Sequence, residues 1–369
     1  MSWVLAGVGF AALIILHEFG HFAAAKAVGM RVERFSLFFP PTLARVRRGE
    51  TEYAIGAIPL GGYVKITGMS PHEELAPEVA PRAYLRQPVW KRIVVIGAGP
   101  AMNLLIAFVI FWALLAARGQ FVNDVVVDQV TPRSASAGVL HQGDKILAID
   151  GVDGWSPGLS QDEAARRQDA LRKVVSSDGC AGSRVAGCRA TKPVRLTVKR
   201  GDQILHLSIA PRYDPAAKRM LLGITYGRAS DVGAGEATSL AVSNMWRITH
   251  ETVTAIVRVF YSEQARKGVS GVVGSYEATR QSFEFNTTQA LGVLGVISLS
   301  LAVVNLFPFL PLDGGHIFWA LAEKVRGRPI PYRVMERASV VGFMLVAFLF
   351  VVGLTNDIGR LTGQGFNVR

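Results

Sequence analysis

Residues 93–117, IVVIGAGPAMNLLIAFVIFWALLAA, form a run of 25 positions without a single acidic or basic side chain. A helix that crosses a bilayer needs about 20 mostly apolar residues, so this run predicts a membrane-spanning helix. Three other runs are equally free of charge, at residues 1–16, 285–312 and 338–356. Charged residues make up 18% of the 369-residue chain, below the roughly 25% usual in soluble domains. The sequence therefore predicts a polytopic membrane protein with four spanning helices.

Basic residues are distributed unevenly between these runs. Residues 31–92 hold ten Lys and Arg side chains and residues 324–337 hold five, whereas residues 1–16 hold none. Cytoplasmic loops of membrane proteins collect Lys and Arg, so the net charge of +12 does not call for a nucleic-acid partner. The same bias predicts that both basic segments are cytoplasmic, and that the N-terminus, residues 118–284 and the C-terminus lie outside.

Residues 17–21 read His-Glu-Phe-Gly-His, directly after the first apolar run. Positions i and i+4 share one face of a helix, so His17 and His21 can direct ring nitrogens at a single ion. Glu18 lies one step further round the helix, where its carboxylate can take a proton from water beside that ion. This pattern is typical of zinc hydrolases and predicts one Zn²⁺ ion, with Glu18 as the catalytic base.

The third ligand of such a site should be another polar residue at membrane depth, because catalytic zinc usually has three protein ligands. Asp313 follows 28 uncharged residues at the end of the third apolar run, where an ionisable side chain marks function. His316 is the competing candidate, and it could instead cap a helix or support a ligand. Pro308 and Pro311 cannot continue a regular helix, so the backbone should break here, inside protein or beside a cavity.

These motifs together resemble the site-2 protease family, the zinc metalloproteases that cut within the membrane. The family pairs HExxH on its first core helix with NxxPxxxxDG on a later one, here Asn305, Pro308, Asp313 and Gly314. The resemblance implies that the two histidines and Asp313 bind zinc and that Glu18 is the base. It also implies that Asn305 contacts the substrate backbone or the developing oxyanion.

Other segments resemble the bacterial subgroup that carries a PDZ insert and cleaves anti-sigma factors. Residues 97–103 match its GPxxN-type segment, and residues 53–66 resemble its membrane-dipping β region. We assign Asn103 and Tyr63, which lie in these two segments, to substrate binding. The resemblance implies a multi-pass protein of the bacterial cytoplasmic membrane, with the active site toward the cytoplasmic side. The chain has room for only one PDZ unit, where some relatives have two.

Residues 121–212 alternate apolar and polar positions in short runs separated by Gly-Asp turns, which predicts a small β-rich domain. Residues 136–151 resemble part of a PDZ domain, and residues 160–175 would form its helix. PDZ domains bind peptides by strand addition, and residues 222–224 could supply part of the binding edge. The domain either binds a peptide or a trimmed substrate end, or acts as a steric filter.

The only two cysteines, Cys180 and Cys188, lie in this external segment and can form a local disulfide. Residues 51–66 alternate around a Pro-Leu-Gly-Gly turn and predict a hairpin. Its exposed edge near the zinc could hold an unwound substrate by strand addition; a purely structural hairpin is the alternative. Residues 236–262 have apolar side chains at helical spacing, which predicts an amphipathic helix, at the membrane interface or against the soluble domain.

The predicted fold is an α-helical polytopic membrane protein with four transmembrane helices, a membrane-associated β-hairpin and one extracytoplasmic PDZ-like domain. Its predicted parts are the first two spanning helices with the zinc motif (1–117), the PDZ-like domain (121–212), the interfacial helix (236–262), and the last two spanning helices with the third ligand (285–369).

The predicted activity is zinc-dependent hydrolysis of a peptide bond in the membrane segment of a single-pass protein. An anti-sigma factor is the expected substrate, and remnant signal peptides are the second substrate class. A metal transporter or a metal-dependent scaffold is the main alternative, although transport does not require a general base at Glu18. A peptidase for prenylated or signal-peptide tails is a further alternative. The lipid bilayer is the expected partner in every case.

Overall fold

The computed structural model of the protein describes residues 1–70, 73–180, 185–215 and 217–362. Contacts divide the chain into two compact units, one formed by residues 1–114 with 235–369 and the other by residues 115–234. The helices are α1 (Ser2–Ala27), α2 (Val89–Arg118), α3 (Gln161–Ser176), α4 (Ala234–Val259), α5 (Glu263–Gly268), α6 (Val272–Phe285), α7 (Thr287–Asn305), α8 (Asp313–Arg326) and α9 (Tyr332–Thr362). The strands are β1 (Val32–Arg48), β2 (Thr51–Ile66), β3 (Gln120–Val130), β4 (Lys145–Ile149), β5 (Val152–Asp153), β6 (Val194–Arg200), β7 (Gln203–Ile209), β8 (Arg212–Asp214), β9 (Arg219–Leu221) and β10 (Ile224–Ser230).

Four helices in the described part of the chain are long and apolar enough to cross a membrane. They are α1, α2, α7 and the Arg333–Thr362 part of α9, one for each of the uncharged runs. The prediction of four spanning helices is thereby confirmed. The structure adds α5, α6 and α8, which the sequence analysis did not separate from their neighbours.

The third apolar run is interrupted where the prolines predict it. Helix α7 ends at Asn305 and α8 begins at Asp313, with an irregular connection through Pro308 and Pro311. Proline lacks the amide hydrogen that a continuing helix needs, and its ring clashes with the preceding turn. Asp313 is therefore the first residue of a separate helix and not the end of a spanning one.

The hairpin predicted within residues 51–66 is wrong. Strand β2 pairs with β1, and residues 34–37 of β1 have register partners both in residues 52–55 and in residues 62–65. The two halves of β2 cannot pair with each other because β1 lies between them. Residues 62–65 have register partners on one side only, so within the described residues they form an edge of this sheet.

The second unit contains a sheet with the strand order β10-β3-β4-β6-β7, and β5 pairs with β4. The four runs that alternate in the sequence, residues 125–130, 145–149, 194–198 and 204–209, lie within β3, β4, β6 and β7, which confirms a β-rich domain. Helix α3 begins after Ser160, whose hydroxyl accepts a hydrogen bond from the backbone N–H of Glu163, as an N-cap should. The main apolar core lies between this sheet and α3.

This unit extends beyond residue 212, the limit predicted from the sequence. Strand β10 pairs with β3, which places the end of the unit at residue 234. The short strands β8 and β9 separate β10 from the alternating runs and conceal the pairing in the sequence. Cys180 and Cys188 form a disulfide in the connection between α3 and β6; residues 181–184 lie outside the described ranges.

The predicted amphipathic helix at residues 236–262 corresponds to α4, which ends at Val259. Met245 and Ile248 of α4 pack against the buried cluster of Ala107 on α2 and Leu299 on α7. Helix α4 therefore contacts two of the membrane-spanning helices through these two side chains.

Candidate metal centre

The centre is built on α1, where His17 and His21 lie one turn apart with only 8% of each residue exposed. Their Nε2 atoms are 3.3 Å apart. Oδ2 of Asp313, at the start of α8, lies 3.4 Å from Nε2 of His17 and 3.5 Å from Nε2 of His21. The three ligand atoms thus form a nearly equilateral triangle.

The size of this triangle fits a zinc ion. Ligand atoms about 2.0–2.1 Å from a tetrahedral ion lie roughly 3.3–3.4 Å from one another. Oδ2 of Asp313 is buried and accepts no well-formed hydrogen bond from any described residue. A buried carboxylate oxygen is costly unless a cation or a donor compensates it, and a metal ion between these three atoms would do so.

Both imidazole rings are oriented by contacts on α2. Nδ1 of His21 lies 2.9 Å from the carbonyl oxygen of Val95, so Nδ1 carries the hydrogen and Nε2 is left free to bind a metal. Nδ1 of His17 lies 3.1 Å from the side-chain amide of Asn103. The amide oxygen and nitrogen of an asparagine are interchanged by a flip, and the orientation with Oδ1 toward Nδ1 leaves Nε2 of His17 free as well.

Asn103 is fully buried, and its backbone oxygen accepts a hydrogen bond of 2.9 Å from Ser298 on α7. The sequence analysis assigned Asn103 to substrate binding, whereas the structure puts its side chain against His17. A buried side chain in this position can hold the imidazole of His17 in place, and the assignment of Asn103 to substrate binding stays a prediction.

Glycines allow α1 and α2 to approach closely at this level. A Cβ built on Gly99 would overlap the imidazole of His21, and one built on Gly20 would overlap a backbone carbonyl of α2. A Cβ on Gly97 would come no closer than 3.8 Å to a neighbouring side-chain atom, that of Ile317. Gly99 belongs to the GPxxN-type segment, but nothing in the sequence indicates that the ring of His21 occupies the space of its absent side chain.

Glu18 lies beside the histidine pair, where the edge of the β1–β2 sheet reaches it. A Cβ built on Gly62 would lie 2.9 Å from Cγ of Glu18. The hydroxyl of the adjacent Tyr63 accepts a hydrogen bond of 3.1 Å from Arg34, and its ring stacks on Phe39. Tyr63, assigned to substrate binding from the sequence, is therefore held within the sheet, one residue from the contact with Glu18.

The second motif contributes Asn305 as well as Asp313. Nδ2 of Asn305, at the end of α7, lies 3.4 Å from Nε2 of His17. His316 follows on α8, but the group of side chains that can hold a metal in the described residues comprises His17, His21 and Asp313. The structure thus brings together the two predicted motifs, whose nearest residues, His21 and Asn305, are 284 positions apart in the chain. His316 lies outside the triangle of ligand atoms.

A histidine pair with an adjacent glutamate and a nearby carboxylate, set among helices long enough to span a membrane, is typical of membrane-embedded metallopeptidases. The sequence pattern of peptidase family M50 matches residues 5–349. The chain belongs to this family, the site-2 proteases, and is a zinc metalloprotease with a protein substrate.

Similar proteins cover almost the whole chain. A "Putative zinc metalloprotease" of Rhizobium meliloti is 31% identical over 382 residues, which are 95% of this chain and 94% of the relative. One of Xylella fastidiosa is 28% identical over 441 residues, with coverages of 96% and 98%. The "Regulator of sigma-E protease RseP" of Salmonella typhimurium is 27% identical over 447 residues, with coverages of 97% and 99%. Family membership confirms the predicted enzyme class and the zinc cofactor, and it removes the metal-transporter alternative.

Proposed function

We propose that His17, His21 and Asp313 hold the zinc ion and that Glu18 is the general base for hydrolysis of a peptide bond within the membrane. The observation that carries this proposal is the triangle of ligand atoms with edges of 3.3, 3.4 and 3.5 Å on the HExxH helix. When bound there, zinc supplies a Lewis acid that polarises a carbonyl group and lowers the pKa of water to about 7.

The other groups that surround the proposed ligands each have a distinct part in this mechanism. Glu18 takes the proton of the attacking water and returns it to the leaving amine. Val95 and Asn103 keep the two imidazoles in the orientation that turns Nε2 inward. The amide of Asn305 lies at the centre, where its N–H can donate to the substrate carbonyl oxygen as negative charge develops on it.

The substrate we propose is the membrane segment of a single-pass protein, held in an extended form. Carbonyl groups in a helix are engaged in hydrogen bonds, so hydrolysis requires local unwinding. Residues 62–65 of β2 offer backbone groups at a sheet edge, and Gly62 lies against Glu18. A substrate strand added to this edge would pass beside the base, with its backbone paired during the reaction.

We also propose that residues 118–284 and both termini are extracytoplasmic and that the metal centre lies toward the cytoplasm. The concentration of Lys and Arg in residues 31–92 and 324–337 supports this orientation. A disulfide between Cys180 and Cys188 agrees with this orientation, since disulfides persist in oxidising compartments. Reporter fusions at Gly154 and Gly327 should score external and cytoplasmic; a cytoplasmic score at Gly154 would invert the orientation.

The external unit is proposed to be a PDZ-like domain that receives the trimmed end of a substrate. Strand β10 lies at the edge of its sheet, where strand addition is available. A cavity of about 210 Å³ between α3 and β9 is lined by Arg172, Lys173 and Arg219, with Asp169 and Ser176. This mainly basic lining suits a terminal carboxylate. A steric filter that excludes untrimmed substrates is the second role open to this domain.

Deletion of the external domain distinguishes its two possible roles, binding of a substrate end and exclusion of untrimmed substrates. The deletion should remove residues 120–230, because a cut at residue 212 would leave β10 without its partner β3. If the domain is a steric filter, the deletion variant should cut untrimmed substrates, and this cleavage should still require Glu18. Continued refusal of untrimmed substrates by the folded deletion variant would rule out the filter.

By analogy with the relative named regulator of sigma-E protease, we propose an anti-sigma factor as the substrate and remnant signal peptides as a second class. Mass spectrometry of membrane fragments from cells with the wild type and with Glu18→Gln tests the whole proposal. The variant should keep zinc, lose all cleavage, and accumulate the uncut substrate, because an amide cannot accept a proton from water. Glu336→Gln, on the exposed surface of α9, is the matched control and should retain cleavage. Equal fragments from Glu18→Gln and the wild type would contradict the mechanism.

A further inference from the structure

An ion pair between α2 and α8 is buried outside the metal centre. Nη2 of Arg92 donates to Oε1 of Glu323 at 2.6 Å, and Nη1 donates to Oε2 at 3.0 Å. Only 7% of the Arg92 side chain and 25% of the Glu323 side chain are exposed. Two parallel hydrogen bonds from a planar guanidinium fix the relative orientation of the groups as well as their distance. This pair therefore constrains how α8 lies against α2.

Helix α2 is also the element that orients both histidines. Val95, one turn after Arg92, accepts the hydrogen bond from His21, and Asn103 contacts His17. Helix α2 is thus the common support of the HExxH side chains. The third proposed ligand is the exception, because Asp313 starts α8, which follows an irregular connection rather than a continuous helix.

The position of Asp313 consequently depends on how α8 is held. Ile317 packs against the cluster that contains Val95 and Ile96 of α2, and it lies between Asp313 and Glu323 along the helix. At about 1.5 Å per residue, Ile317 is roughly 6 Å from one end of this segment and 9 Å from the other. A tilt about Ile317 that moves Glu323 by about 1 Å would move Asp313 by about 0.7 Å. Zinc–ligand distances vary by only about 0.2 Å, so such a tilt would spoil the site.

We propose that Arg92 and Glu323 are positioning residues for the metal centre: their ion pair fixes the tilt of α8 so that Asp313 meets His17 and His21. The pair contacts neither the ligands nor the base, and it acts through the helix that carries Asp313. This inference rests on the proposed ligand set of the preceding section.

The test measures the zinc affinity of the full-length protein in detergent by competition with a chelator, alongside its thermal unfolding. Arg92→Gln and Glu323→Gln should each weaken zinc binding by about tenfold or more, the scale seen when groups that orient metal ligands are removed. Both should lower kcat with little change in KM. Arg92→Lys, which keeps the charge but loses the planar fork, should give an intermediate affinity. The charge-reversed double variant Arg92→Glu/Glu323→Arg should recover part of the lost affinity.

Arg280 and Glu277 of α6 supply a matched control, since their side chains are similarly buried at 15% and 12% exposure. Arg280→Gln and Glu277→Gln should lower the unfolding temperature and leave zinc affinity unchanged. Zinc affinity equal to wild type in the Arg92 and Glu323 variants, with only the unfolding temperature reduced, would overturn the inference. Asp313→Ala measured in parallel distinguishes the two failures: if it binds zinc like the wild type, the proposed ligand set itself is wrong.

Discussion

The two units of this protein bury different kinds of side chains. The unit of residues 115–234 has a continuous apolar core, with Val125, Ile146 and Leu171 fully buried. The helical unit has smaller apolar clusters and buries polar groups among them: His17, His21, Arg92, Asn103 and Ser298. The unit of residues 115–234 also buries Asp144 and Gln168, each of them hydrogen-bonded, but the buried polar groups of the helical unit include the histidines of the candidate metal centre.

The difference follows from the solvent of each unit. In water, removing apolar surface from the solvent is the dominant favourable contribution to the folding of a domain. Within a bilayer the surroundings are already apolar, so helices associate through close packing of small residues and internal polar contacts. Several buried polar residues of the helical unit therefore lie both at contacts between helices and at the candidate metal centre. The contact of Gly99 with the ring of His21 is such a place.

The largest expected effect comes from removing Asp313, the third proposed ligand and the only carboxylate of the three. Asp313→Ala should lose both zinc and proteolytic activity, because it removes one corner of the ligand triangle. His316→Ala should keep at least part of both, since His316 lies outside that triangle. Metal analysis of the purified variants measures the effect, and the reverse pattern would move the ligand to His316.

A core substitution in the other unit should change stability and leave the chemistry alone. Ile146→Ala, at a position with 0% exposure, should destabilise the β-rich unit by about 2–5 kcal/mol. Ile204→Ala, at 59% exposure, is the matched control and should have little effect. Thermal unfolding reports the first quantity. The chemistry is measured as the rate of hydrolysis of a pre-trimmed substrate, which should equal the wild-type rate in both variants. A lower kcat in Ile146→Ala would show that the two units are not independent.

Two glycines of α2 sharpen the contrast within the helical unit. Gly99→Ala would push a methyl group into the imidazole of His21, and we expect zinc affinity to fall by about 10–100-fold. Gly97→Ala meets only Ile317, at 3.8 Å, and should bind zinc as the wild type does. Competition with a chelator measures the zinc affinity of both variants. Equal zinc affinities would mean that α1 and α2 can separate without disturbing His21.

The smallest effect concerns a charge cluster at the C-terminal end of α1, formed by Lys26, Glu50 and Arg82. Glu50 accepts hydrogen bonds from Arg82 and Lys26, and these lower the pKa of its carboxyl from 4.5 to about 2. Because the folded-state pKa is depressed, this stabilisation is complete above about pH 4.5 and is lost as the pH falls toward 2. The groups are partly exposed, so we expect Glu50→Gln to cost about 1 kcal/mol at pH 7.

Unfolding temperatures of the wild type and of Glu50→Gln, compared between pH 7 and pH 2.5, test this cluster. The difference between the two proteins should shrink as the pH decreases. A difference that stays constant across this range would show that ionisation of Glu50 does not stabilise the fold.

Local sequence determined the features whose physical cause is local. Charge-free runs of membrane length predicted the four spanning helices, and the 3.6-residue period placed the HExxH histidines on one face. Pro308 and Pro311 predicted where the third run breaks, and period-two alternation located four strands of the second unit. In each case the signal comes from residues adjacent in the chain, because backbone geometry sets the period or the break.

Only the tertiary structure decided which of these elements meet. The position of β1 between the halves of β2, the contact of Asn103 with His17, and the pairing of Arg92 with Glu323 leave no periodic trace in the sequence. The partners of the last pair are 231 residues apart. Such contacts depend on which helices and strands pack together, and a glycine or an arginine gives no indication of its distant neighbour. The sequence alone therefore determined the chemistry of the site, while the folded chain decided which residues support it.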